Sequence, residues 1–379
     1  MTAVVTRATD ELDDPVWDDA LDRVLAGEGV RLVAQPIIDV THARVGGYEL
    51  LSRFDGPPAA SPDVWFAAAR RRGVDALLTA IVLRSMHALR ERGVVDGFCS
   101  INVEPHLMAE PVVRGALFER GRLDGVVVEL TEHVAAHDDD ALGDVLAEVR
   151  ALGGLVAIDD AGTGHSGLTQ LLRVRPDIVK LDRALITGVH ADPVQRATVR
   201  MLGDLAGEMD AWLVAEGVET REELAALIHL GVPLVQGYAL GRPASGWTGM
   251  DDEMTAFVRA TAASTDRGEH VVGLVRVAQV LPATMARHAT GAAPGAVVLD
   301  ARNRPASVVV RDPSGGTHLA PALVVTPSAA PLEVLRRATA RAVIWRGAPV
   351  VCVEASGIVL GTVDVGDLVD HLVQRVPAA

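Results

Sequence analysis

The chain has 379 residues, 49% hydrophobic and 22% charged, enough for a barrel-sized core of about 250 residues plus a second module. A formal net charge of −15 excludes a protein that works by coating a nucleic acid polymer, since that takes a dominantly basic surface. No apolar run approaches the ~20 residues of a membrane crossing, acids interrupt the opening residues where a secretory signal would be apolar, and Cys99 and Cys352 lie far apart. A cytoplasmic protein with no membrane insertion and no disulfide framework is expected.

Residues 1–15 read as a flexible tail. Trp17, Leu21, Val24 and Leu25 then recur at helical spacing. Short apolar runs follow at Arg31 to Val40, Gly46 to Phe54, Phe98 to Val103, Val126 to Thr131, Leu155 to Asp160, Ile178 to Leu181, Trp212 to Ala215 and Leu234 to Ala239. Between them lie helical patterns such as Ala141 to Leu152, Ala197 to Met209 and Arg221 to Leu230. Strands alternating with helices over residues 16–246 predict a closed, TIM-like β/α barrel. An open doubly wound sheet shows the same alternation, but the glycine-rich dinucleotide fingerprint that would favour it is absent.

Nearly every strand run ends in a polar residue: Glu49, Asn102, Glu129, Asp159 with Asp160, Lys180, Glu216 and Gln236. Catalytic groups of such barrels converge at the C-terminal ends of several strands. Oxygen donors without cysteine or paired histidines favour a hard ion, magnesium or manganese, over zinc. Glu49, Asn102, Glu129 and Asp159 can supply one cage, and Asp160 can share a second ion with Asp159. Two such ions suit phosphodiester hydrolysis, because they lower the pKa of a bridging water and neutralise the phosphoryl oxygens. Lys180, the only lysine in the chain, can hydrogen-bond that water. Taken singly, an acid at a strand end is more often a turn or helix cap, and Thr220 with Glu223 has capping-box spacing. Glycosidases also use carboxylate pairs in barrels, but sugar sites want aromatic platforms and only 3% of this chain is aromatic.

These motifs resemble those of the EAL phosphodiesterase domain from about Arg31 to Pro243. Gln35-Pro36-Ile37-Ile38-Asp39 is similar to the family's opening strand, and Glu49-Leu50-Leu51 stands where its name motif belongs, with leucine in place of alanine. Asn102, the run Glu129-Leu130-Thr131-Glu132, the run Asp159 to Ser166, Lys180-Leu181-Asp182, Ala215 to Thr220 and Gln236-Gly237-Tyr238 follow in family order. The resemblance implies that Glu49, Asn102, Glu129, Asp159 and Asp160 bind two magnesium or manganese ions and that Lys180 contacts the nucleophilic water. It implies that Glu216 acts as general base or as a carboxylate one step removed, and that Gln35, Arg53, Asp182 and Gln236 meet substrate. Glu132 matches a glutamate that anchors the loop Asp160 to Gly167, where Ala161 and His165 depart from the family's aromatic residues. A homodimer is expected on this resemblance alone.

Residues 247–266 read as a linker or connecting helix, and 267–379 as a smaller α/β module with two similar units, around Ala296 to Arg311 and Val350 to Leu372. This part more loosely resembles a pair of CBS motifs, modules that often bind adenine nucleotides. Asp367 sits where a ribose-binding aspartate would be, while Asp364 replaces the usual threonine. The expected activity is metal-dependent hydrolysis of cyclic di-GMP to linear pGpG. The alternative is a receptor that binds cyclic di-GMP, turns over little, and signals through the C-terminal module.

Overall fold

The computed structural model describes residues 15–93, 97–131, 139–161, 167–264, 270–312, 315–354 and 357–374. Eight strands close a barrel in chain order: β1 (Val30–Asp39), β2 (Arg44–Phe54), β3 (Phe98–Val103), β4 (Val126–Leu130), β5 (Leu155–Ala161), β6 (Ile178–Leu181), β7 (Trp212–Ala215) and β8 (Leu234–Val235). The strands are runs of valine, isoleucine and leucine because both faces are covered; β4, β6 and β7 are buried at every position. Amphipathic helices follow them, including Asp139–Ala151 after β4, Pro193–Glu208 after β6 and Arg221–His229 after β7. The closed barrel followed by smaller sheets is the architecture the alternating pattern predicts.

The register decides which side chains share a face. Glu49 pairs with Ser100, Asn102 with Glu129, and Glu129 with Ala157, two residues before Asp159. Side chains alternate along a strand, so Glu49, Asn102, Glu129 and Asp159 all fall on one face. Lys180 pairs with Val214 in the same way, two residues before Glu216.

The chain divides into two compact units. One takes in Val45–Val174, Gln236–Met250 and the chain up to Ile38; the other takes in Asp39–Arg44, Arg175–Val235 and the chain from Asp251 onward. In the first, the helix Pro15–Leu25 buries Trp17, Leu21 and Val24 in a cluster with Trp65 of the helix Pro62–Arg72. Trp17 meets Trp65 edge-on at 5.1 Å, and Phe54 stacks on Trp65 at 5.0 Å. Four of the twelve aromatic residues of this chain, Trp17, Phe54, Trp65 and Phe66, meet at that seam.

The second unit carries two further sheets that repeat one pattern. In each, a two-residue strand runs parallel to the first arm of an antiparallel hairpin. β9 (Val280–Leu281) lies beside β10 (Val297–Leu299) and β11 (Pro305–Arg311), with β12 (Thr317–Pro321) added at the edge. β13 (Val324–Val325) lies beside β14 (Val350–Val353) and β15 (Val359–Val363). A helical segment separates short strand from hairpin both times, Ala283–Gly291 and Pro331–Ala340. Val297 and Val308 of one hairpin pack with Val351 and Val353 of the other. Among the described residues no helix is long and apolar enough to cross a membrane.

Candidate active site

Glu49 sits on β2 with its carboxylate held by two amides. Asn102 Nδ2 donates to Oε1 at 2.9 Å, and Gln236 Nε2 donates to Oε2 at 2.6 Å. Gln236, just past β8, is 4% exposed, and Glu49 itself 8%. With both amide groups turned to Glu49 as donors, Asn102 Oδ1 and Gln236 Oε1 are buried and have no hydrogen-bond partner among the described residues. A buried bare oxygen is costly unless a donor or a cation meets it. Beside buried carboxylates, that something is well matched by a hard divalent ion, which takes oxygen ligands. Glu129, on β4 and 1% exposed, adds a second buried carboxylate to the same face. The donor set therefore fits a hard divalent ion.

Among the described residues, Glu49, Glu129 and Asp159 do not form a triad with ligand atoms within 4.8 Å of one another. The only triad of histidine, cysteine or carboxylate groups with ligand atoms within 4.8 Å of one another, among the described residues, lies elsewhere, at Asp39, His42 and Glu354. The side chain of Asp160 lies outside what is described, as do Glu132 and His165 and the side chain of Ala161.

On the other unit, Lys180 of β6 is 1% exposed, and its Nζ lies 2.5 Å from Glu216 Oε1. Glu216 follows β7 and its backbone N–H donates to Leu181 O at 3.1 Å, which sets the carboxylate beside the end of β6. A buried ammonium is tolerated because it is paired in this way.

A cavity of about 500 Å³ opens beside the first group, walled by Ser52, Arg53, Phe66, Asn102, Thr131 and Asp159, among others. Arg53 spends one N–H on Ser52 O at 2.8 Å. A guanidinium has five donors, so further ones remain for a phosphate. Phe66 and Thr131 were not singled out from sequence: Phe66 belongs to a helix whose pattern carries no mark of a site, and Thr131 follows Leu130 in a run read mainly for Glu129.

The remaining predicted residues are placed as follows. Gln35 on β1 is buried and donates to Gly241 O at 3.1 Å. Asp182 caps the short helix Arg183–Ile186, accepting from Ala184 N at 2.7 Å. Asp367 holds Arg276, whose Nη2 is 2.6 Å from a carboxylate oxygen, so a ribose there meets an engaged group.

The Asp39, His42 and Glu354 cluster also contains Arg44. His42 Nδ1 lies 2.7 Å from Asp39 Oδ2, and Arg44 donates to Glu354. The Asp39 hydrogen bond pushes His42 above its usual value, against the lowering effect of burial. Two carboxylates face one guanidinium and one readily protonated imidazole, so the group neutralises itself without an added cation. It joins the turn between β1 and β2 to the end of β14.

Comparison with known proteins places these features in a family. The sequence profile of the EAL domain matches residues 18–243. The probable cyclic di-GMP phosphodiesterase PdeD of Escherichia coli (strain K12) is 29% identical over 229 residues, 58% of this chain and 42% of that protein. The cyclic di-GMP phosphodiesterase NbdA of Pseudomonas aeruginosa is 31% identical over 252 residues, 63% of this chain and 32% of that protein. This chain thus spans less than half the length of either relative. Among solved structures, Klebsiella pneumoniae BlrP1 in a calcium/cy-diGMP complex aligns with a TM-score of 0.53 and 30% identity, covering 59% of this chain and 58% of that one. The same protein is known as a manganese/cy-diGMP complex.

Proposed function

This chain belongs to the EAL-domain family, and from that premise we propose that its barrel hydrolyses cyclic di-GMP to linear pGpG. The observation that carries the reading is the buried Glu49 carboxylate, held by Asn102 and Gln236 with two amide oxygens left bare beside it. In this reading Glu49, Asn102, Glu129, Asp159 and Asp160 hold two magnesium or manganese ions. Such ions, when bound, acidify water and neutralise charge on the phosphoryl oxygens.

The chain's own groups do the rest. Arg53 holds a substrate phosphate at the cavity wall, and Gln35, Asp182 and Gln236 line the substrate's path. Lys180, which faces Glu216, orients the attacking water. Glu216 accepts hydrogen bonds at the same place and keeps Lys180 in register. One phosphodiester bond opens, and the ring becomes a linear dinucleotide.

Residues 267–379 we read as a regulatory module with the repeat expected of paired CBS-like motifs, the shared strand order of its two sheets supporting this. Homodimerisation and a cytoplasmic location belong to the same reading.

The test is product formation from cyclic di-GMP by the purified chain with magnesium or manganese, beside Glu49→Ala and an EDTA control. Linear pGpG from the wild type alone supports the hydrolase. Tight binding with no product would replace it with a receptor, and neither binding nor product would overturn both.

A further inference from the structure

We propose that Glu223 is a positioning residue for Glu216, acting by fastening the loop that carries Glu216 to the loop that follows Lys180. The inference rests on the reading of Lys180 and Glu216 as the hydrolytic pair.

Glu223 begins as an ordinary helix-start residue. Thr220 caps the helix Arg221–His229, its Oγ1 accepting from Glu223 N at 3.2 Å, and Glu223 Oε2 accepts from Thr220 N at 3.1 Å. A capping box needs no more than these two bonds. Here the carboxylate takes two further N–H groups: Oε2 accepts from Glu219 N at 3.1 Å, and Oε1 from Gly188 N at 3.0 Å, 35 residues earlier in the chain. One 5% exposed carboxylate therefore spans two strand-exit loops. Burial works against its charge, yet the backbone N–H groups outweigh it and hold the carboxyl below its ordinary value.

The same two loops touch at other points. Arg183 Nη1 lies 3.0 Å from Glu219 Oε1. Gly217 has φ +68°, and a Cβ there would sit 2.6 Å from Arg183 Cβ, so only glycine lets the loop lie against Arg183. Glu216 N donates to Leu181 O on the near side. Glu216 is thus tied to β6 by its own amide and held from the far side through Glu219 and Thr220. Its 2.5 Å distance from Lys180 depends on both ties. A misplacement of about 1 Å at a reacting group can cost on the order of a hundredfold in rate, so the far tie has catalytic consequence.

A carboxylate suits the job because all its neighbours are donors. Glutamine would offer one oxygen and an NH₂ group, and could meet either Gly188 or the Glu219–Thr220 pair, not both.

The experiment compares wild type, Glu223→Ala, Glu223→Gln and Thr220→Ala in the full chain, reading kcat, KM and the pH dependence of kcat on cyclic di-GMP, with melting temperature alongside. Glu223→Ala should lower kcat about tenfold or more with KM within about twofold, and displace the pH profile of kcat; Glu223→Gln should fall between. Thr220→Ala, which removes the cap hydroxyl and leaves the three acceptor bonds, should lose thermal stability while keeping kcat. The proposal is overturned if Glu223→Ala turns over at the wild-type rate, if its loss matches its unfolded fraction, or if Thr220→Ala loses as much kcat. An inactive wild type would instead overturn the hydrolase reading, and this inference with it.

Discussion

Gln236 donates its amide to Glu49 at 2.6 Å, joining β2 to the residue after β8 across 187 positions of sequence. The bond is buried, and Asn102 donates a second amide to the other carboxylate oxygen. This arrangement holds the carboxylate still before anything binds, which is what a metal or substrate site requires of its ligands.

Replacing Gln236 by leucine removes the Nε2 donor to Glu49 Oε2. Losing a hydrogen bond to a charged group costs about 1.5–3 kcal/mol. Urea unfolding should show that loss as a lower midpoint with an unchanged slope. Turnover should fall as well, because Glu49 gains rotational freedom. An unchanged midpoint would mean that the Glu49 carboxylate does not depend on Gln236.

Lys180 is the second sensitive position. Lys180→Met preserves an unbranched chain and removes the charge; kcat should fall ~100-fold or more while KM changes little, as when a donor aimed at the reacting centre is lost. Lys180→Arg should not rescue it. The site is 1% exposed and shaped around a compact ammonium, whereas a guanidinium is planar and larger. Activity in Lys180→Arg near that of the wild type would show that only charge matters there.

The barrel was largely legible in the sequence for a physical reason. Strands covered on both faces read as continuous apolar runs, and β3, β6 and β7 occupy the same residues as the runs predicted for them. β8 was read too long, to Ala239. The chain instead turns at Gly237, whose carbonyl accepts from Leu240 N and Gly241 N, so only Leu234 and Val235 remain in the ladder. Two-residue strands such as β9 and β13 carry no periodicity and left no signal. In the site, residue type and strand position pointed to Glu49, Lys180, Glu216 and Gln236, but which pairs touch follows from register and closure. Nothing local announces that Glu223 reaches Gly188 or that Glu354 meets Arg44, which lies 310 residues away.

His42 gives a stability prediction with a definite sign. Its pKa is raised in the fold above 6.5, chiefly by the hydrogen bond to Asp39, with Glu354 adding to the effect and burial and Arg44 opposing it. A raised basic group contributes stability that is fully present below the unfolded value and is lost as pH rises through the folded value. The melting temperature should therefore decline as pH is taken upward from 6.5, and His42→Gln should flatten that part of the curve. With 35% of the side chain exposed, solvent screening keeps the effect small. A wild-type curve that superimposes on that of His42→Gln would remove the protonated imidazole from the network.

The two thiols should be inert in the native protein. Burial pushes Cys99 up to about 11, and burial together with Glu354 pushes Cys352 up to about 12. Only the thiolate attacks a disulfide reagent, so at pH 8 neither should react until the fold opens. Titration with an aromatic disulfide should count no thiols in buffer and two in denaturant. The result bears on the site as well as on stability. Cys99 lies on β3 three residues before Asn102, and it pairs with Tyr48 on one side and Val126 on the other along the barrel wall. Rapid native labelling at Cys99 would mean that β3 opens locally, and then Asn102 could not hold Glu49 in the fixed geometry on which the proposed hydrolysis depends.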